Sequence, residues 1–242
     1  LVGELLGTGI LTFLILSIRS SQVGISYFVA LGAGLAIATL TFVLGTTSGA
    51  HLNPALTLAL WTTRKVKTVP AILYIAVQLA AGAGAYALYA YLFNTHLPNA
   101  ATHFDARIMV AEALGTFVFV WGWVAASTRK LEGLQFAAIA GSSFAVGMIV
   151  ASIVVVSSMG KVPSDGIINP AVAWGLHSWV WGTYVLGPVV GAVIAANVHT
   201  YLFAASETTT TSAKASVASK TPVATTSTKA TTTKKSSKKT KK

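Results

Sequence analysis

The residues of this chain that could do chemistry are few, and they come in pairs. Asn53-Pro54-Ala55 and Asn169-Pro170-Ala171 each follow a glycine and lead into an apolar run. Glu4 and Glu112 each stand alone in an apolar stretch, where a charge is expensive and usually functional; a proton relay is one such function. An asparagine amide carries one acceptor oxygen and two donor hydrogens, so it can cap a helix and still hold a passing oxygen. Proline lacks an N–H and is favoured at the first helical position. Each Asn-Pro-Ala therefore predicts a helix start with Asn in the capping position.

The elements that must position these pairs are set by the solvent. Hydrophobic residues are 54% of the 242 and charged residues only 10%, with a mean hydropathy of +0.69, which describes a polytopic membrane protein. Its length leaves about 205 residues for the membrane part, enough for six spans of about 20 residues and no large soluble domain. The expected class is an all-α membrane protein. Spans are expected at about 2–18, 25–45, 69–92, 108–127, 134–157 and 181–204. The apolar runs after Pro54 and Pro170 are too short to cross. The chain enters span 1 directly, with neither a basic start nor a cleavage site, which leaves room for residues ahead of Leu1.

The formal charge of +11 is mostly in the tail: from Glu207 onward nine Lys face one acid, a net of +8, while residues 1–206 carry +3. Residues 205–242 are Thr, Ser, Ala and Lys with almost no large apolar side chain, which predicts a disordered cytoplasmic tail. Its Lys can touch anionic lipid headgroups. Nucleic acid is not an expected partner. Arg64, Lys65 and Lys67, then Arg129 and Lys130, then the tail fall on one side of an even number of spans, which the positive-inside rule makes cytoplasmic. The membrane is assigned as the plasma membrane.

Internal similarity organises the spans further. Leu1-Val2-Gly3-Glu4-Leu5-Leu6-Gly7-Thr8 aligns with Met109-Val110-Ala111-Glu112-Ala113-Leu114-Gly115-Thr116; Asn53 aligns with Asn169, and Tyr74 with Tyr184. Two halves, about 1–93 and 107–204, with three spans each, must be inserted upside down relative to one another. The channel-forming part is thus 1–204. The two half-helices then enter from opposite faces with their N-termini end to end, each carrying about half a positive charge and unpaired N–H groups hostile to cations. Carbonyls of residues 48–52 and 164–168 supply acceptors, and non-helical backbone there is tolerable if it lines a wet cavity. A water held by both Asn amides directs its own hydrogens outward and breaks a proton wire.

Taken together, the doubled Asn-Pro-Ala, the Glu-x-x-Gly-Thr in spans 1 and 4, Gln78 with its glycines, and Gly187-Pro188 resemble the aquaporin or major intrinsic protein family over residues 1 to about 204. The resemblance implies six tilted helices, two half-helices, an hourglass pore in each subunit and a homotetramer. It also implies that Glu4 and Glu112 accept hydrogen bonds from the irregular backbone, and that His51 lines or packs the pore beside Asn53. The family's constriction usually combines an aromatic, a His and an Arg; counted from the motifs, those places fall on Ala33, Ser157 and Val172, with Gly166 as the fourth. A shifted register across the Pro163 loop puts Val156 in place of Ser157. Valine at position 172 resembles some tonoplast-type members.

These residues lead to a passive channel for water whose wide constriction also admits small neutral solutes such as glycerol, urea or ammonia, with ions excluded at the paired half-helix N-termini. Ala173 and the compact loops look water-selective, so solute breadth stays open. A closed-pore membrane-contact protein of the same fold and a proton-coupled transporter are the alternatives. An enzyme is not expected: no nucleophile, base and orienting acid come together, and there is no phosphate loop. With no Cys and no metal-ligand spacing of His, no cofactor or metal is expected.

Overall fold

The computed structural model describes residues 1–21, 26–96, 103–159, 166–178 and 180–218; side chains at 26, 155–159 and 204–218 are excluded. Apolar composition over 19 or more residues without an internal breaker makes long helices: α1 (Val2–Ser20), α2 (Ser26–Ser48), α4 (Thr68–Phe93), α5 (Ala106–Thr128), α6 (Gly133–Met159) and α8 (Gly187–Ala218). Between them lie two short helices, α3 (Pro54–Thr62) and α7 (Pro170–Gly175). Among the described residues, six segments are long and apolar enough to cross a membrane, at positions matching the expected spans within a few residues. The order long, long, short, long occurs twice.

Proline explains the one irregularity within a span. A helical Pro188 would press its ring on the carbonyl of Tyr184, and the ladder opens ahead of it into a π-helical turn, Gly182–Leu186. Residues 1–203 form one compact unit, and 204–242 a second. In that second stretch α8 stays helical to Ala218, where composition predicts disorder from 205, with alanines and Glu207 supplying ordinary helix propensity. The Lys-rich end from 219 lies outside the described residues.

Small residues let the long helices touch. α6 packs on α2 and α5, and α1 on α2 and α4, while α7 leans on α4 and α1. Where α2 meets α6, a Cβ on Gly34 would come within 2.7 Å of the Gly141 carbonyl oxygen. A Cβ on Gly82 of α4 would collide with the Ala171 carbonyl oxygen. The glycine and alanine runs at 32–38 and 80–87 thus serve close packing. The core that results is contiguous through the unit, from Leu11 and Ile15 to Ala192 and Ala196.

Candidate functional site

Each half-helix begins as its tripeptide dictates. Asn53 has extended backbone, and its side-chain oxygen accepts from the Ala55 N–H at 2.8 Å. Asn169 does the same with the N–H groups of Ala171 (3.0 Å) and Val172 (3.4 Å). Pro54 and Pro170 occupy the first helical position. The amide ends of the two caps then cross over. Asn53 Nδ2 donates to the Ile168 carbonyl at 2.9 Å, and Asn169 Nδ2 donates to the Leu52 carbonyl at 2.8 Å. Each Asn is thereby bonded to the backbone just before the other, which holds the two helix N-termini against one another. Each uses one amide hydrogen in this bond and keeps a second.

The preceding backbone must aim those carbonyls, and it does so with left-handed residues. Ala50 (φ 48°), Leu52 (φ 50°) and Ile168 (φ 47°) are all in the left-handed region, which is unusual for a β-branched residue such as Ile168. Such a bend frees backbone N–H groups, and in a buried place each needs an acceptor. The two carboxylates provide them. Glu4 Oε1 accepts from the His51 N–H (2.9 Å) and the Ser48 hydroxyl (2.8 Å), and Oε2 from the Leu52 N–H (2.7 Å) and Gln78 Nε2 (2.8 Å). Glu112 accepts from the Ile167 N–H (2.8 Å) and the Ile168 N–H (2.6 Å). Both carboxylates are wholly buried. This is the acceptor role that the resemblance implies, and it leaves no oxygen of Glu4 free for a relay.

Around the first cap lies a side-chain network only partly legible from residue types and spacing. Thr57 donates to the Asn53 carbonyl (3.0 Å) and lies 3.2 Å from His51 Nδ1; Gln78 Nε2 also reaches Thr57 at 3.1 Å, and Tyr74 donates to the Ser48 carbonyl at 2.8 Å. Tyr74 and Gln78 are one helical turn apart, both polar in an apolar span, and that spacing was the available signal for them. His51 is buried, with the rings of Tyr74 and Trp123 edge-on at 5.3 and 5.9 Å. Trp123 is therefore an interior packing residue rather than the interface anchor that its place near a span end suggests.

The expected constriction residues are distributed as follows. Ala33 of α2 and Val172 of α7 are fully buried. Gly166 is fixed by its N–H, which donates to Ser152 Oγ at 2.8 Å, and has no space for a side chain: a Cβ there would come 2.7 Å from the Met148 carbonyl oxygen. The side chains of Ser157 and Val156 lie outside the described residues. Asn53 and Asn169 are fully buried as well, so a water-sized sphere does not reach the caps in this conformation. A cavity of about 350 Å³ is lined by Trp123, Thr41, Gly45, Gly49, Glu132 and Phe136. The buried hydroxyl of Thr41 has no hydrogen-bond partner among the described residues.

At the rims, outside the spans, two titratable groups are shifted. The Arg107 backbone N–H, with help from its guanidinium, holds the half-buried Asp105 carboxyl below the usual carboxylate range. Burial against Tyr86, with ring centroids 3.8 Å apart, lowers His177.

Two capped half-helices joined by crossed amides, inside six long apolar helices, define a membrane channel built from a duplicated unit. The chain belongs to the major intrinsic protein family: that family's profile matches residues 1–201. It is 36% identical to maize Aquaporin NIP3-1 over 175 residues, covering 69% of this chain and 56% of that protein. Human Aquaporin-5 is 35% identical, covering 72% and 68%, and Aquaporin AqpM of Methanothermobacter marburgensis is 31% identical, covering 74% and 78%. The chain thus spans little more than half the length of the maize relative. Among solved structures, the aquaglyceroporin from Plasmodium falciparum superposes with a TM-score of 0.59 at 21% identity, over 84% of this chain and 93% of that one, which supports the fold.

Proposed function

We propose that the protein is a passive water channel, working as a homotetramer in the plasma membrane with its tail in the cytoplasm, that excludes ions and admits small neutral solutes. The crossed caps carry this reading. Each Asn is locked by its oxygen and one amide hydrogen, and the remaining hydrogen of each is a fixed donor for a water oxygen at the point where two helix N-termini disfavour cations. Val172 and Ala33 at the constriction places remove a guanidinium and a ring, which favours passage of glycerol, urea or ammonia.

Full burial of Asn53, Asn169, Ala33 and Val172 favours a second reading, the closed-pore membrane-contact protein. Stopped-flow shrinkage of proteoliposomes in sucrose, glycerol and urea separates the two. The channel reading expects water flux well above protein-free vesicles and a lower reflection coefficient for glycerol or urea than for sucrose. Val172→Arg should suppress the solute flux by at least tenfold and water flux less. Absence of water flux would establish the closed pore instead.

A further inference from the structure

The turn between α3 and α4 puts three cations, Arg64, Lys65 and Lys67, into four residues. Its backbone is fixed. The Arg64 and Lys65 N–H groups donate back to the Trp61 and Leu60 carbonyls, each at 2.9 Å, and Val66 packs on the core. Arg64 takes a left-handed backbone (φ 59°) to close this turn, a place that favours glycine. The result is a cleft of about 630 Å³ lined by Trp61, Thr62, Arg64, Val66, Lys67 and Thr68. Arg64 and Lys67 are exposed, and neither side chain has a partner among the described residues. No acid lines the cleft. Two backbone groups and one hydroxyl add to the cations. α4 starts at Thr68 behind an extended Lys67 that offers no side-chain cap, so the Thr68 and Val69 N–H groups have no acceptor among the described residues. Trp61 Nε1 donates to Thr68 Oγ1 at 3.1 Å, which leaves the Thr68 hydroxyl its own hydrogen to donate.

Charge and donors together call for an anion with several acceptor oxygens, and the depth of the cleft says where one is found. Thr68 is the first residue of a span, and tryptophan, as at Trp61, settles at the headgroup level of a bilayer. The cleft and the lipid phosphates therefore lie at one level. We infer that the cleft binds the phosphate of an anionic glycerolipid, with Arg64 and Lys67 paired to its oxygens and the Thr68 hydroxyl and the first N–H groups of α4 donating to it. Residues 61–69 suffice for this site, without the Lys-rich tail. It rests on the membrane placement of the chain and not on transport.

The test is amide hydrogen exchange of the full chain in lipid nanodiscs, read by mass spectrometry on peptides covering 61–72. Discs of phosphatidylcholine with a minority of phosphatidic acid are compared with discs of phosphatidylcholine alone. Exchange at Thr68 and Val69 should be at least fivefold slower with phosphatidic acid. Arg64→Gln together with Lys67→Gln should abolish that slowing, and Lys67→Gln alone, which leaves the Arg64 turn intact, should at least halve it. Removing the same charge from the tail, by Lys238→Gln with Lys239→Gln, should leave it unchanged. Unaltered exchange over 108–124 checks that the variants fold. Equal exchange in the two kinds of disc overturns the inference, as does slowing that survives the loss of both cleft cations. Slowing that the tail variant loses as fully as the cleft variant overturns it too, since general surface charge would then account for it. If inorganic phosphate added to phosphatidylcholine discs slows exchange as much as phosphatidic acid does, the ligand is free phosphate and the glycerolipid is overturned. None of these readouts depends on transport, so a failed permeability assay leaves the test intact.

Discussion

The two halves place the same backbone in the same shape but hold it differently. Before α3, Glu4 gathers two backbone N–H groups, the Ser48 hydroxyl and the Gln78 amide. Before α7, Glu112 gathers the two equivalent backbone N–H groups, with no further donor to it among the described residues. The position matching Gln78 in the second half is Pro188, which has no donor to offer and instead disturbs its own helix. Packing takes over where bonds are fewer. Gly115 lies against the Gly147 carbonyl oxygen and Ile168, and Gly187 fits against α5 so closely that a Cβ would come 2.6 Å from the Met109 carbonyl oxygen. Among the described residues, which leave out Ser164 at the position matching Ser48, one half is laced by side chains and the other is wedged by backbone contact. The shared requirement is therefore the pair of midplane N–H groups, and what surrounds it can differ.

Replacing the carboxylates probes the part the halves share. Glu4→Ala and Glu112→Ala each orphan two buried backbone N–H groups, at about 1–3 kcal/mol apiece. Both variants should lose about 2–6 kcal/mol and most of their folded yield, measured by thermal unfolding in detergent. Ser48 keeps a bond with the Ala50 N–H and Gln78 one with Thr57, so the two losses should be similar. A much larger loss for Glu4→Ala would mean that the side-chain lacing carries the first half.

Wedging is tested by equivalent glycines. Gly115→Ala drives a methyl into the Gly147 backbone and to 2.9 Å from Ile168 Cγ2, whereas Gly7→Ala meets only the movable ends of Leu52 and Leu44. Overpacking of the first kind costs about 1–3 kcal/mol, and the second should cost well under half as much in the same unfolding assay. Equal costs would remove the distinction.

Lacing is tested by Gln78→Leu, which gives the first half the donor-free state of the second and should cost about 1 kcal/mol. No measurable change in melting temperature would show the halves to be equivalent.

The smallest effect belongs to the rim. Asp105 caps α5, accepting the N–H groups of Arg107 and Ile108, and its lowered pKa means that its ionised form stabilises the fold. That contribution is complete above the ordinary carboxylate range and is lost as pH falls through the lowered value. Melting temperature should therefore drop slightly at the acid end, and Asp105→Ala should flatten that part of the profile.

The starts of α3 and α7 were legible because Asn-Pro is a local signal: cap chemistry and a missing N–H need no tertiary context. The six long helices were legible for the same kind of reason, since a bilayer imposes length and composition. The destination of each Asn amide was not legible, because it depends on a carbonyl more than a hundred residues away. Ile168 in the left-handed region runs against local preference, and the Glu112 and Asn53 bonds together with the surrounding packing hold it there. The π-helical turn ahead of Pro188 reflects how the helix accommodates a ring that would ordinarily end it. For Trp123, burial is decided by which face turns toward His51, not by its closeness to a span end.

The crossed amides also impose an order on synthesis. Asn53 and Ile168 are 115 residues apart, so at about 5–20 residues per second the first cap is made about 6–23 s before its partner carbonyl exists. During that interval the first half-helix has an amide hydrogen and a forward carbonyl with nothing in the nascent chain to match them, which favours its waiting at the water interface rather than at full depth. The second half-helix then acts as a keystone: its arrival completes both bonds at once, and only the last span follows it.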